Sequence, residues 1–174
     1  MLEQKIFTKN EILIIKKSRR DAEFFENLKI EISQNLEKIA AAEIIFLAIK
    51  PQNLAEINFK KIFGAEKIAK IFAKKIVISI LAGVKISTIS QKFGGAKIVR
   101  AMPNVAQKAG CGATGIFFGA DFSDNEKILV KKIFAVGGEI FPVKNENFLD
   151  KITAISGSGP AYFFYFLEKI ILAA

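Results

Sequence analysis

Residues 44–52 read I-I-F-L-A-I-K-P-Q, and the reading of this stretch decides the fold. A nearly continuous apolar run of this length, rich in branched side chains, fits a strand covered on both faces. Pro51 holds Lys50 extended and ends the strand. Two more runs share the character, 12–15 and 76–81, and helical patterns lie between them at 19–29, 36–42 and 53–73. Later strands are expected at 97–101, 114–118 and 139–143. Ser123 and Glu126 make an S-x-x-E capping box ahead of a helix over 127–136, which Gly137-Gly138 stops. Repeated strand–helix–strand order predicts a doubly wound, parallel α/β sheet. From residue 147 onward the pattern is helical only, which divides the chain into domains 1–146 and 147–174.

Composition narrows the function. The chain has 174 residues, 51% of them hydrophobic, enough for a sizeable core. The net charge is +9, but only Arg19, Arg20 and Arg100 are arginines and the lysines are spread from Lys5 to Lys169. A nucleic-acid surface concentrates its cations and favours arginine, so no nucleic-acid partner is expected. Cys111 is the only cysteine and there is no histidine, which argues against a metal site and against Ser-His or Cys-His nucleophiles. The start lacks the apolar core of a signal peptide, and the longest apolar run, 161–167, is too short to span a bilayer. A cytoplasmic protein without membrane association is expected.

The strand ends carry the candidate chemistry. In Rossmann-like folds an acidic residue after the second strand binds the ribose 2′-hydroxyl of NAD, whereas basic and hydroxyl groups there accept the 2′-phosphate of NADP. Lys16-Lys17-Ser18-Arg19-Arg20 offers four cations and no carboxylate. If 12–15 is that second strand, NADP is favoured; the competing reading is a charged helix entrance on the surface. Ala48-Ile49-Lys50-Pro51, the Ala82-Gly83 exit of the 76–81 strand, and Met102-Pro103-Asn104 fall where ligands bind in open α/β sheets. Each alone is also an ordinary strand terminus; their shared character favours a cleft. One literal G-x-G-x-x-G occurs, 110–115, but it follows a loop and leads into a strand, so it reads as structural. The stretch 155–164, I-S-G-S-G-P-A-Y-F-F, reads as a glycine turn feeding a helix that begins at Pro160.

Taken in order, FLAIKPQ, ISILAGVKIS, VRAMPN and TAISGSGPAYFF resemble the successive blocks of the pyrroline-5-carboxylate reductase family, from about residue 11 to the C-terminus. The resemblance implies NAD(P)H-dependent reduction of the C=N bond of 1-pyrroline-5-carboxylate to L-proline, the last step of proline biosynthesis. It implies NADP as cofactor, with NAD as the alternative, and a helical domain through which subunits form homodimers or larger oligomers. By position, Ser18 and Arg19 would meet the adenosine phosphate and Asn35 the adenosine side. Ala48, Ile49, Lys50, Pro51, Ile80, Leu81 and Ala82 would line the ribose and nicotinamide, with Met102, Pro103 and Asn104 nearby.

The sequence departs from the family pattern in three places. No strand with G-x-G-x-x-G precedes 12–15, so the sheet is expected to be incomplete, its first strand missing. The family's S-P-G-G-T-type segment, whose threonine contacts the imine, has no counterpart, so no catalytic residue is assigned. Val105-Ala106 stands where Thr-Pro is usual. These departures leave open a non-catalytic remnant or oligomerising fragment, and beside it a related NADP-dependent imine or hydroxyacid dehydrogenase. The helix over 161–174 is apolar nearly all round, as expected only of a buried helix.

Overall fold

The computed structural model describes residues 6–18 and 22–173, and the chain divides into two compact units, 1–43 and 44–174. In the first, β1 (Leu13–Ile15) pairs in parallel with β2 (Glu31–Ser33), Leu13 opposite Glu31 and Ile15 opposite Ser33. Helix α1 (Glu23–Asn27) connects them and ends before Lys29, whose φ of 58° is left-handed. Strand β2 was not expected. Three residues with an exposed glutamate at one end carry too little apolar signal to register as a strand.

The second unit is built on a five-stranded sheet, β3 (Ile44–Leu47), β4 (Ile76–Ser79), β5 (Lys97–Pro103), β6 (Gly112–Phe118) and β7 (Gly138–Pro142), in that spatial order. All four residues of β4 are buried, which is why its sequence shows no alternation. The helix expected over 53–73 is instead a chain of short pieces: a 3-10 turn Pro51–Glu56, α2 (Phe59–Phe63), a 3-10 turn Ala65–Lys67 and α3 (Ile68–Phe72). Gly64, with φ 84°, makes the break. Phe59 and Phe72 then meet Phe93 in a buried cluster with ring centroids 4.9–5.0 Å apart. After β4 a helix that the sequence reading passed over, α4 (Ile86–Ser90), leads back to β5.

Three of the four strand pairs are parallel; β5 and β6 run antiparallel, Pro103 opposite Thr114 and Val99 opposite Phe118. The link 104–111 is a 3-10 turn capped by Gly110, too short for the crossover of a dozen or more residues that a parallel pair needs. This local reversal leaves the parallel-dominated, Rossmann-like architecture intact. It also explains the G-x-G-x-x-G at 110–115, which caps that turn and then runs into β6. An added Cβ at Gly115 would stand 2.5 Å from Ile152 Cδ1, so this glycine admits a helix rather than a phosphate.

Helix α5 (Asp124–Ala135) begins at the expected capping box: Glu126 N–H donates to Ser123 Oγ at 3.3 Å, and Ser123 N–H to Glu126 Oε2 at 2.8 Å. The C-terminal tract is one helical path: α6 (Phe148–Ile152), a wider π-type segment Thr153–Gly157, then α7 (Gly159–Ala173). The glycine turn expected at the start of 155–164 is therefore part of a continuous helical path, with a bulge at Thr153–Gly157. Ser158 N–H donates to Thr153 O at 2.9 Å, a bond that skips one residue more than an α-turn does. None of the fifteen residues of α7 is buried within this chain.

The Lys97 ammonium, 2.8 Å from Glu126, and the Ser123 donors hold the Glu126 carboxyl near pKa 2, against an ordinary 4.5. A depressed folded-state pKa adds stability that is complete above the ordinary value and fades as pH falls toward the folded one. Replacing Glu126 with Gln is thus expected to lower the thermal midpoint at pH 7, with the gap to wild type closing between pH 4.5 and 2; unfolding scans across that range measure it.

Candidate functional site

Because β3, β4 and β5 are parallel, their C-terminal ends share one edge of the sheet. Three of the segments picked out in the sequence therefore come together there: Ala48–Ile49–Lys50–Pro51, Ile80–Leu81–Ala82 and Met102–Pro103–Asn104. Ile80 N–H donates to Leu47 O at 3.2 Å, which binds the second segment to the end of β3. Ala48, Ile49, Lys50, Pro51 and Ala82 are exposed, whereas Leu81 is buried and its N–H donates to Ser79 Oγ at 3.3 Å. Leu81 can thus offer a ligand its backbone, not its side chain. At Gly83, φ 71°, an added Cβ would meet nothing within 4 Å. Small side chains and this open turn leave room for a flat ring against the edge.

A groove of about 350 Å³ borders the same edge, with Pro51 and Leu54 on one wall and Val84 and Thr88 on the other. Beside it the Lys92 ammonium donates to Ala55 O at 3.1 Å and Ile57 O at 2.7 Å. These bonds satisfy carbonyls left open at the end of the 51–56 turn and fix the segment that follows Pro51.

The third segment is committed inward. Asn104 Nδ2 donates to Ser156 Oγ at 3.1 Å, and its Oδ1 accepts from Ala113 N–H at 3.2 Å. Buried Met102 lies with its sulfur 3.7 Å from where a Cβ of Gly157 would stand. The M-P-N and S-G-S-G stretches, far apart in sequence, are thus joined at the edge of the site.

In the first unit, β1 and β2 are parallel and their C-terminal ends also share an edge. Ser18 lies there, exposed in the bend after β1, and Arg19 lies outside the described residues. Asn35 is exposed after β2, where its Oδ1 accepts from Glu37 N–H at 2.9 Å and caps the 3-10 turn Leu36–Ala41. Gln34 Nε2 donates to Lys17 O at 3.0 Å and ties the two exits together.

Sequence reasoning overlooked a charged cluster beneath the third segment. Arg100, only 1% exposed, points from β5 toward the start of α6, where its Nη1 meets Glu146 Oε1 at 2.9 Å and its Nη2 stands 3.5 Å from Asp150 Oδ1. The signal was present: an arginine inside a strand run must find carboxylates, and Glu146 and Asp150 lie one helical turn apart. Among the described residues no group of three or more His, Cys, Asp and Glu side chains is arranged to hold a metal ion.

The parallel strand ends, the connecting helices and the sheet order define a Rossmann-like protein of the dinucleotide-binding class. Residues 1–83 match the family described as NADP oxidoreductase, coenzyme F420-dependent, and residues 146–174 match pyrroline-5-carboxylate reductase dimerisation. The pyrroline-5-carboxylate reductase of Synechocystis is 32% identical over 98% of this chain and 61% of its own length. That of Haemophilus influenzae is 34% identical over 84% of this chain and 53% of its own. Among solved structures, the Coxiella burnetii pyrroline-5-carboxylate reductase superposes with TM-score 0.80 at 30% identity, covering 99% of this chain and 63% of that one. The Plasmodium falciparum pyrroline carboxylate reductase with NADP bound gives 0.79 at 27%, covering 98% and 61%. The chain is similar to pyrroline-5-carboxylate reductases over nearly all of its own length and spans about three fifths of the length of such relatives.

Removing a partner from a buried ion pair costs roughly 3–5 kcal/mol, and the partly open Glu146 places this pair at the low end. Arg100→Ala is expected to destabilise the chain by about 3 kcal/mol, with Arg100→Lys recovering little because an ammonium cannot span both carboxylates. Urea unfolding measures both.

Proposed function

We propose that this chain serves the NADPH-dependent reduction of 1-pyrroline-5-carboxylate to L-proline, as a pyrroline-5-carboxylate reductase. The observation that carries the reading is the match to the Coxiella enzyme over 99% of the chain, which takes in all four of the sequence blocks gathered at the strand ends and the helical tract. Residues 1–146 would form the cofactor-binding domain and 147–174 the start of the dimerising one. NADPH, when bound, supplies the hydride that adds to the imine carbon. Ala48, Ala82 and the open turn at Gly83 fit a flat ring, while Pro51 and the Lys92 bonds hold their segment still. Leu81 anchors its turn from inside the core, so the backbone on either side keeps one geometry toward the ring. Met102, Pro103 and Asn104 form the floor where the sheet meets the 153–158 segment.

Ser18 and Arg19, with the neighbouring lysines, suit the 2′-phosphate that distinguishes NADPH from NADH. A charge-assisted hydrogen bond is worth about 1.5–3 kcal/mol, so Arg19→Ala should weaken NADPH about tenfold or more and leave NADH within about twofold. Fluorescence titration of both nucleotides checks this. The reading as a whole is tested by NADPH oxidation with 1-pyrroline-5-carboxylate. Turnover supports it; absence of both turnover and NADPH binding would sink it.

A second reading, an oligomerising piece without turnover, draws on α7, where Tyr162, Phe163, Phe164, Tyr165 and Phe166 are 60–66% exposed. Both readings expect a homodimer or larger homo-oligomer through this helix. Phe163→Glu with Phe166→Glu should convert it to monomer in sedimentation experiments; a wild-type chain that is already a soluble monomer would contradict the assembly. We place the protein in the cytoplasm, in keeping with a single cysteine that is exposed and unpaired. No helix among the described residues is long and apolar enough to cross a membrane.

A further inference from the structure

Helix α4 starts without a local cap: the side chain of Lys85, at the N-cap position, accepts nothing from the helix. Its first N–H, that of Ile86, donates instead to Glu146 Oε1 at 2.7 Å, from a residue sixty positions away. The same oxygen accepts from Arg100 Nη1 at 2.9 Å. Next to it, Lys85 Nζ donates to Asn147 Oδ1 at 3.1 Å, so two consecutive residues of the α4 entrance are tied to two consecutive residues before α6. Arg100 Nη2 makes no hydrogen bond of good geometry, only the 3.5 Å approach to Asp150. The cation is thus held in the core chiefly by one carboxylate, and that carboxylate is also the cap of α4.

The segment that Glu146 caps is the continuation of the 80–82 turn. Between the end of β4 at Ser79 and the start of α4 lie only residues 80–85, and an added Cβ at Gly83 would find nothing to rest on. The turn is fastened at one end by the Ile80 N–H to Leu47 O bond and at the other by Glu146. We propose that Glu146 is a positioning residue for this turn, and that through Arg100 it couples the order of the turn to the seating of the helical tract 148–158 on the sheet. The inference rests on the reading that 80–82 face the cofactor; its mechanical part stands on the hydrogen bonds alone.

The experiment uses the full chain and three substitutions, Glu146→Ala, Glu146→Gln and Asp150→Asn. Glu146→Gln keeps the shape and an acceptor oxygen, so it reports even if Glu146→Ala fails to fold. Asp150→Asn weakens the second carboxylate on Arg100 without touching Ile86, and so separates general loosening of α6 from loss of the cap. Amide hydrogen exchange is followed in peptides covering 80–89 and 148–158, and NADPH affinity by fluorescence. Loss of one charge-assisted bond predicts about tenfold faster exchange at 80–89 and about tenfold weaker NADPH binding in Glu146→Ala, with Glu146→Gln between it and wild type. Asp150→Asn should speed exchange at 148–158 and leave both the turn and the NADPH affinity within about twofold. Unchanged exchange at 80–89 in both Glu146 variants, or equal acceleration there in Asp150→Asn, overturns the proposal. A wild-type chain that binds no NADPH counts against the function proposed above, and the exchange comparison then decides the role of Glu146 by itself.

Discussion

A guanidinium buried within a sheet needs carboxylates nearby, and where they come from settles how the rest of the chain is laid down. Arg100 lies on β5 with its head group out of water, so Glu146 and Asp150 must reach it from the tract that follows β7. Once they do, Leu149 is buried, Ile152 packs over Gly115, and the 153–157 segment comes within reach of Met102 and Asn104. A single strand position thereby aligns the helical tract with the edge where β3, β4 and β5 end. The net energy of the pair itself is modest, since desolvation offsets much of the attraction.

The same economy runs through the strand ends. Lys92 satisfies the carbonyls of one turn, Ser79 the N–H of another, and Asn104 joins the N–H of Ala113 to Ser156. Each polar group is used to hold backbone rather than to meet solvent. The hydride transfer to an imine proposed above would ask more of position than of a strong acid or nucleophile, and a sheet edge fixed this way would suit such a reaction without a histidine.

Much of this was legible in the sequence. Continuous apolar runs marked β3 and β4, though only β4 is buried on both faces while β3 leaves Phe46 exposed, and the Ser123–Glu126 spacing marked the start of α5. The strand exits at Ala48, Ala82 and Met102 followed from the assigned strands. What escaped notice depended on partners distant in sequence. β2 is three residues held by pairing with β1, α4 is capped from residue 146, and Asn104 turns inward to a serine fifty-two residues away. The antiparallel β6 was hidden for another reason: its apolar run looks alike in either direction, and only the shortness of the 104–111 link gives it away.

The wider turn at 153–157 has a consequence for helical phase. A π-type segment holds one residue more than the α-helix around it, and each residue of an α-helix advances the azimuth by about 100° and the axis by about 1.5 Å. The wider turn closes over that extra residue and absorbs it, so deleting one residue there would let α6 and α7 run on as a regular helix with Tyr162, Phe163 and Phe166 still facing nearly the same way, whereas deleting one within α6 would swing them by about 100°. The segment 153–157 is thus the one stretch of the tract that can gain or lose a residue without turning the aromatic surface away from its direction.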